Sequence, residues 1–223
     1  MLSKSLIAGG KLDYWTQTFE SNMDLNIVLP SSGCYRVESM KISVNELAML
    51  FRDALPTVGV PVRSVVIVGA SRYEVPGVRS KEGDQGFKPR SRMSSSDWPS
   101  LMIEVGVLES INILRYDARW WLLNSGGHTN IVVIISIRRS DRSIVIGRWE
   151  RMPLTHPTRP TSNVTVPTKV QRVLIDQNSN VTCAPLIIPI AKLLDTVPPG
   201  ANNLTFNSTA MGTFANDFWS VAQ

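Results

Sequence analysis

Two short apolar runs, SLMIEVG (100–106) and TNIVVIISI (129–137), flank the segment ESINILRYDARWWLLNS (109–125) and constrain the fold of this chain most. Each run is too short for a buried helix and is bounded by turn residues, so each predicts a strand buried on both faces. The segment between them predicts a helix with Ile113, Trp120, Trp121 and Leu122 on its packed side, closed by Gly126-Gly127. Strand, helix and strand at this spacing form a βαβ unit, with parallel strands and a right-handed crossover. Functional residues of such sheets collect at the carboxyl ends of strands. Glu104 sits at that kind of end, a single carboxylate in an otherwise apolar run.

The flanks extend this unit. SVNELAMLFRDALP predicts a helix, with Ser43 and Glu46 as a capping box. Leu47, Leu50, Phe51 and Ala54 form its apolar face, and Pro56 ends it. RSVVIVGA predicts a buried strand. SRYEVPGV predicts an edge piece, because Pro76 has no N–H for a ladder. Residues 79–96 (RSKEGDQGFKPRSRMSSS) have the composition of an exposed loop. Asp97-Trp98-Pro99 sets the entry to the next strand. SIVIGRWE is expected beside the last strand of the βαβ unit, after a turn at 139–142. Residues 152–168 form a Pro/Thr-rich loop. VQRVLID and APLIIPIAKLL predict further strands, the latter running into a short helix. VPPGANNLTFNST predicts a loop and TFANDFWSVA a terminal helix.

Composition removes several function classes. With 43% hydrophobic residues the chain can bury a real core. Its formal charge is +5, carried mostly by arginine, which permits a polyanionic partner without demanding one. Two distant cysteines, Cys34 and Cys183, make no CxxC pair and are expected as buried thiols. With His128 and His156 the only histidines, an HExxH helix and a His-rich metal site are excluded. No GxxxxGKS or GxSxG stretch occurs. No apolar run reaches the roughly 18 residues of a membrane span, and the N-terminus lacks the apolar core of a signal peptide. The sequons at Asn163, Asn180, Asn203 and Asn207 read as Asn/Thr-rich loops. The expected setting is intracellular and soluble, in nucleus or cytoplasm, with no membrane partner.

An Asp on one strand and a Glu at the end of the next can share a divalent cation. Mg²⁺ wants oxygen ligands, often one or two carboxylates plus water and phosphate. The αβββαβ order, with KEGDQGF upstream and LMIEVG downstream, resembles the PD-(D/E)XK nucleases, the restriction-endonuclease-like superfamily. More narrowly, EVGVLES, LRYDARWWLLNSGG and NIVVIISI resemble fungal proteins of that type. The likeness is strongest from about Lys81 to Glu150, and looser from the Glu46 helix to the terminal helix.

The resemblance implies an α/β fold with a restriction-endonuclease-like αβββαβ core and a mixed central sheet flanked by helices. It implies one domain over residues 1–223. The core lies at about 43–150, with extensions at 1–42 and 151–223. Asp84 takes the place of the motif aspartate, with Gly83 where the motif has proline. Glu104 takes the place of the second carboxylate, and the Val105 carbonyl would complete the ligand set for Mg²⁺ or Mn²⁺. Gly106 stands where the motif has lysine. Some members move the basic residue to the following helix, which nominates Arg115 and Arg119, with Asp117 between them. Arginine stays protonated, so it would steady a phosphate or orient water rather than act as a base. Glu46 is a weaker candidate for a further carboxylate. Lys88, Arg90 and Arg92 are the nominated phosphate contacts. Trp120 and Trp121 can stack on bases or fill the core.

Three readings follow. One is a metal-dependent nuclease, a hydrolase of phosphodiester bonds in DNA or RNA, with activity impaired by Gly106. A second is an inactive relative that binds nucleic acid or protein. A third is an interaction protein with no nucleic-acid role. The resemblance also allows a homodimer, since nucleases of this fold often pair.

Overall fold

Strands buried on both faces need cover on both faces, and this requirement sets the architecture. The structure, a computed structural model, describes residues 44–107, 111–154 and 164–221, all within the unit Tyr35–Gln223. Helix α1 (44–54) comes first. Strands β1 (Val65–Val68), β2 (Ser71–Val75), β3 (Val78–Gly83), β4 (Gln85–Pro89) and β5 (Leu101–Val107) follow. Helix α2 (Ile111–Asn124) crosses over to β6 (Ile131–Arg138), which turns into β7 (Ser143–Pro153) and then β8 (Thr165–Ile175). The chain ends with β9 (Val181–Thr182), β10 (Leu186–Ile188), the single turn α3 (Ile190–Leu193), β11 (Leu204–Phe206) and α4 (Ser208–Val221).

Seven strands form one mixed sheet in the order β1-β4-β5-β6-β7-β8-β9. β5 and β6 are parallel, from Leu101 opposite Ile131 to Val107 opposite Ile137, as the βαβ reading requires. The other neighbours in this sheet are antiparallel. β2 and β3 form a separate hairpin, as do β10 and β11.

Side-chain alternation along β5 divides the core. Leu101, Ile103, Val105 and Val107 join Leu47 and Phe51 of α1 and Phe214 and Phe218 of α4 on one face. Met102 joins Leu114, Ala118 and Trp121 of α2 on the other. Each of these large side chains contributes roughly 1.5–3 kcal/mol by leaving water. Phe51 also stacks on Phe206, with centroids 4.8 Å apart. Helix α2 buries Leu114, Trp120, Trp121 and Leu122, whereas Ile113, expected in the core, is 49% exposed. The apolar stripe runs through Leu114 and Ala118 to Trp121, and Ile113 falls outside it.

The stretch 79–96 departs most from its loop-like composition. Most of its first half is strand: β3 runs to Gly83 and β4 covers Gln85–Pro89, buried at every position. Three features offset its polarity. Lys81 is ion-paired. The buried Lys88 donates to the carbonyls of Ser94 and Ser95. Gly83 and Gly86 let the chain lie close under other side chains.

Smaller corrections follow the same logic. Cys183 is exposed, not buried, and takes a φ of 62°; Cys34 lies outside the described residues. The stretch expected as loop near the C-terminus contains β11, which pairs with β10. The Pro/Thr-rich stretch is strand at both ends, with Met152 opposite Val166 and Pro153 opposite Thr165. Ser43, the expected cap, and the N-terminal extension lie outside the described residues. No helix among the described residues is long and apolar enough to cross a membrane.

Gly83 is a packing requirement. A Cβ there would lie 2.8 Å from Cζ2 of Trp121 and would also collide with the Met102 methyl. The Trp121 ring cannot retreat, because Tyr73, Trp98 and Trp120 ring it at centroid distances of 5.3, 5.8 and 5.1 Å. Gly83→Ala is therefore expected to lower stability by about 1–3 kcal/mol, the cost of overpacking a tight core. Urea unfolding should show a lower midpoint at unchanged slope; an unchanged midpoint would mean that the tryptophan cluster yields.

Candidate functional site

The ladder between β4 and β5 stops at Gln85 opposite Ile103. One residue further, Asp84 stands across from Glu104, at the point where the chain bends between β3 and β4. Beyond the ladder the β5 edge still needs hydrogen bonds. Asp84 supplies one, its Oδ2 accepting from the Val105 N–H at 2.7 Å. A strand residue directs its N–H and C=O to the same edge, so the Val105 carbonyl also leaves β5 on the Asp84 side.

Glu104 projects from β5 toward α2 and is 4% exposed. The indole N–H of Trp121 donates to its Oε1. Lys81, reaching across from β3, places its ammonium 3.4 Å from Glu104 Oε1 and 2.8 Å from Asp117 Oδ1 on α2. Asp84 and Glu104 are near enough to act on each other's ionisation. Three carboxyl groups thus converge around one ammonium. A roof of aromatic rings covers them, with Tyr73 against Trp98 at 4.8 Å and Trp121 edge-on to Trp120.

Burial pushes the Glu104 carboxyl up from 4.5 to about 8. Lys81 opposes that rise, while Asp84 and Asp117 add to it. Burial also raises Asp84, against the pull of the Val105 N–H and Lys81. For Lys81, burial works against the ammonium. The charges and hydrogen bonds of Glu104 and Asp117 outweigh it, and its pKa rises.

Of the residues nominated from sequence, Asp84, Glu104 and Val105 meet. Arg115 and Arg119 do not join them: both are exposed on α2, and Arg115 donates to Asn112. Asp117 between them turns inward instead. Lys88 is buried under its own loop. Arg92 clasps Asp195 and the carbonyls of Trp98 and His128. Only Arg90 of that trio is exposed. Glu46 lies near Asp217 of α4, toward the sheet face opposite Glu104. Trp120 and Trp121 are buried and have no face open to a base.

Lys81 is the residue that sequence reasoning missed. Its signal was available in principle: a carboxylate buried as deeply as Glu104 needs a cation, and Lys81 is the nearest basic residue before Asp84. No protein-family model matches the chain, and no curated protein matches it.

The Glu104 shift has a consequence for stability. Its pKa is raised in the folded state, so the folded chain holds a proton that the unfolded chain releases near 4.5. The stabilisation from that proton is complete below 4.5 and disappears as pH rises through about 8. Wild-type thermal stability should decline between these limits more steeply than that of Glu104→Gln, which keeps the shape and cannot ionise. Parallel pH profiles in calorimetry would show that Glu104 ionises at its ordinary value in the folded protein.

Proposed function

We propose that the chain is a divalent-cation-dependent phosphodiesterase, a nuclease built on a restriction-endonuclease-like core. The observation that carries this reading is Asp84 facing Glu104 across the β4–β5 edge, with the Lys81 ammonium between Glu104 and Asp117. The frame supports it. Leaving out the β2–β3 hairpin, the order α1-β1-β4-β5-α2-β6 is αβββαβ, with three antiparallel strands and a parallel fourth.

The residues present fit Mg²⁺ or Mn²⁺ by donor chemistry. Among the described residues no three or more His, Cys, Asp or Glu side chains form a ready-made metal cluster, but Mg²⁺ commonly uses only one or two carboxylates. Asp84, Glu104 and the Val105 carbonyl would hold it. Three carboxyls against one ammonium leave negative charge to neutralise; burial is the main reason that the Glu104 pKa is raised, and Asp84 and Asp117 add to it. When bound, such a cation polarises a phosphoryl oxygen and makes a water acidic enough to attack.

The chain's own groups do the rest. The Trp121 N–H holds Glu104 by one oxygen and leaves the other for ligation. Asp117 anchors Lys81, whose remaining donors can orient the attacking water or a non-bridging phosphate oxygen. Lys81 so supplies, from β3, the basic group that Gly106 lacks on β5.

One observation favours the second reading, an inactive relative that binds nucleic acid or protein. Lys81 already neutralises part of the Asp117–Glu104 pair, and a site balanced internally can persist for folding alone. Cleavage of labelled DNA and RNA with Mg²⁺ or Mn²⁺ separates the two. Wild type should cut at least one substrate, and Asp84→Ala and Glu104→Ala should each lose on the order of 10²–10³-fold. Lys81→Met should lose comparably while retaining Mn²⁺ binding by calorimetry. Equal inactivity of wild type and variants, with no Mn²⁺ heat, would favour the inactive relative.

A further inference from the structure

A cavity of about 340 Å³ opens on the same face of the sheet as Glu104, between the start of α2 and strands β6 to β8. Four of its lining residues are cationic: Arg115 of α2, Arg138 of β6, and Lys169 and Arg172 of β8. No acidic side chain lines it. Arg138 pairs outward with the exposed Asp141 at 3.2 Å, and Arg115 is held by a neutral amide. Lys169 and Arg172 are exposed and make no ion pair among the described residues.

The floor adds a second feature. Trp149 is only 8% exposed, and its indole N–H has no hydrogen-bond partner among the described residues. A buried donor left unpaired is costly unless something completes it. It lies beside Gly147, where a Cβ would come within 3.4 Å of the indole nitrogen and 3.1 Å of Ile134 Cγ1. Glycine therefore keeps this part of the floor low. Cations without a carboxylate make a lining that selects an anion.

The cavity is also in line with the carboxylate centre. Glu104 stands opposite Ile134, Ile134 opposite Gly147, and Gly147 opposite Arg172. This row crosses three strand spacings, roughly 14 Å at about 4.8 Å each.

We propose that this basic cavity is the phosphate track of a nucleic-acid strand whose scissile phosphate reaches Asp84 and Glu104. The proposal rests on the nuclease reading and supplies its substrate side. Arginine and lysine hold successive backbone phosphates, so affinity comes from charge and is indifferent to sequence.

The test is fluorescence anisotropy of labelled single-stranded and duplex oligonucleotides, without divalent cations and across a salt series. Lys169→Ala/Arg172→Ala changes two exposed side chains and should leave the fold intact, as circular dichroism would verify. Its affinity should fall at least ~10-fold near 0.1 M salt, and the salt slope should drop by about 1.5, the loss of two phosphate contacts. An unchanged slope and affinity in the double variant overturns the track and leaves the nuclease reading standing. Loss of binding in the double variant, from a wild type that hydrolyses nothing with Mg²⁺ or Mn²⁺, keeps the track and removes the nuclease reading. A wild type that binds no oligonucleotide, or one displaced equally well by inorganic phosphate at the same phosphate concentration, overturns the track.

Discussion

A carboxylate 4% exposed in the middle of a sheet cannot stay where it is without compensation, and the surroundings of Glu104 are organised to provide it. The Trp121 N–H and the Lys81 ammonium both address Oε1. The lysine is held in turn by Asp117. Removing any one partner would leave a buried charge or donor exposed to the full desolvation penalty. The cluster ties β3, β5 and α2 together with directional contacts, where apolar packing alone would tolerate slippage. It also explains the short ladder between β4 and β5, which ends where Asp84 takes over the Val105 N–H.

β5 joins two different chemistries back to back. Its odd-numbered residues enter a large apolar core shared with α1 and α4. Its even-numbered side chains face α2, where aromatic rings, a buried carboxyl and the basic cavity lie along one surface. Rigid packing on one face lets the other carry strained electrostatics. The alternation of a strand accomplishes this for Glu104, which is held on β5, while Asp84 meets it from the bend between β3 and β4.

The βαβ unit, the helix at 44–54, the strand before the hairpin and the terminal helix were legible in the sequence, because apolar periodicity reports burial directly. Asp84 and Glu104 were legible as a pair through the motif they resemble. Lys81 and Asp117 were not. A lysine in KEGD and an aspartate between two arginines carry the local signature of solvated positions, and only the close approach of β3 and α2 makes them partners. Lys88 and Arg92 misled in the opposite direction. Each looks like a free cation in a Ser-rich stretch, and each is spent on local carbonyls or on Asp195, 103 residues away from Arg92.

Pattern along the chain decided the apolar strands and the helices and which strand pair had to be parallel, since those follow from burial period and connection length; the polar strands at 79–89 were decided by tertiary packing. It also placed a carboxylate at the end of an apolar strand. Which cation answers that carboxylate, why residue 83 must be glycine, and how four cations from α2, β6 and β8 come to line one cavity were decided by tertiary structure. Each depends on distances between segments far apart in sequence, and charge, size and desolvation act through those distances.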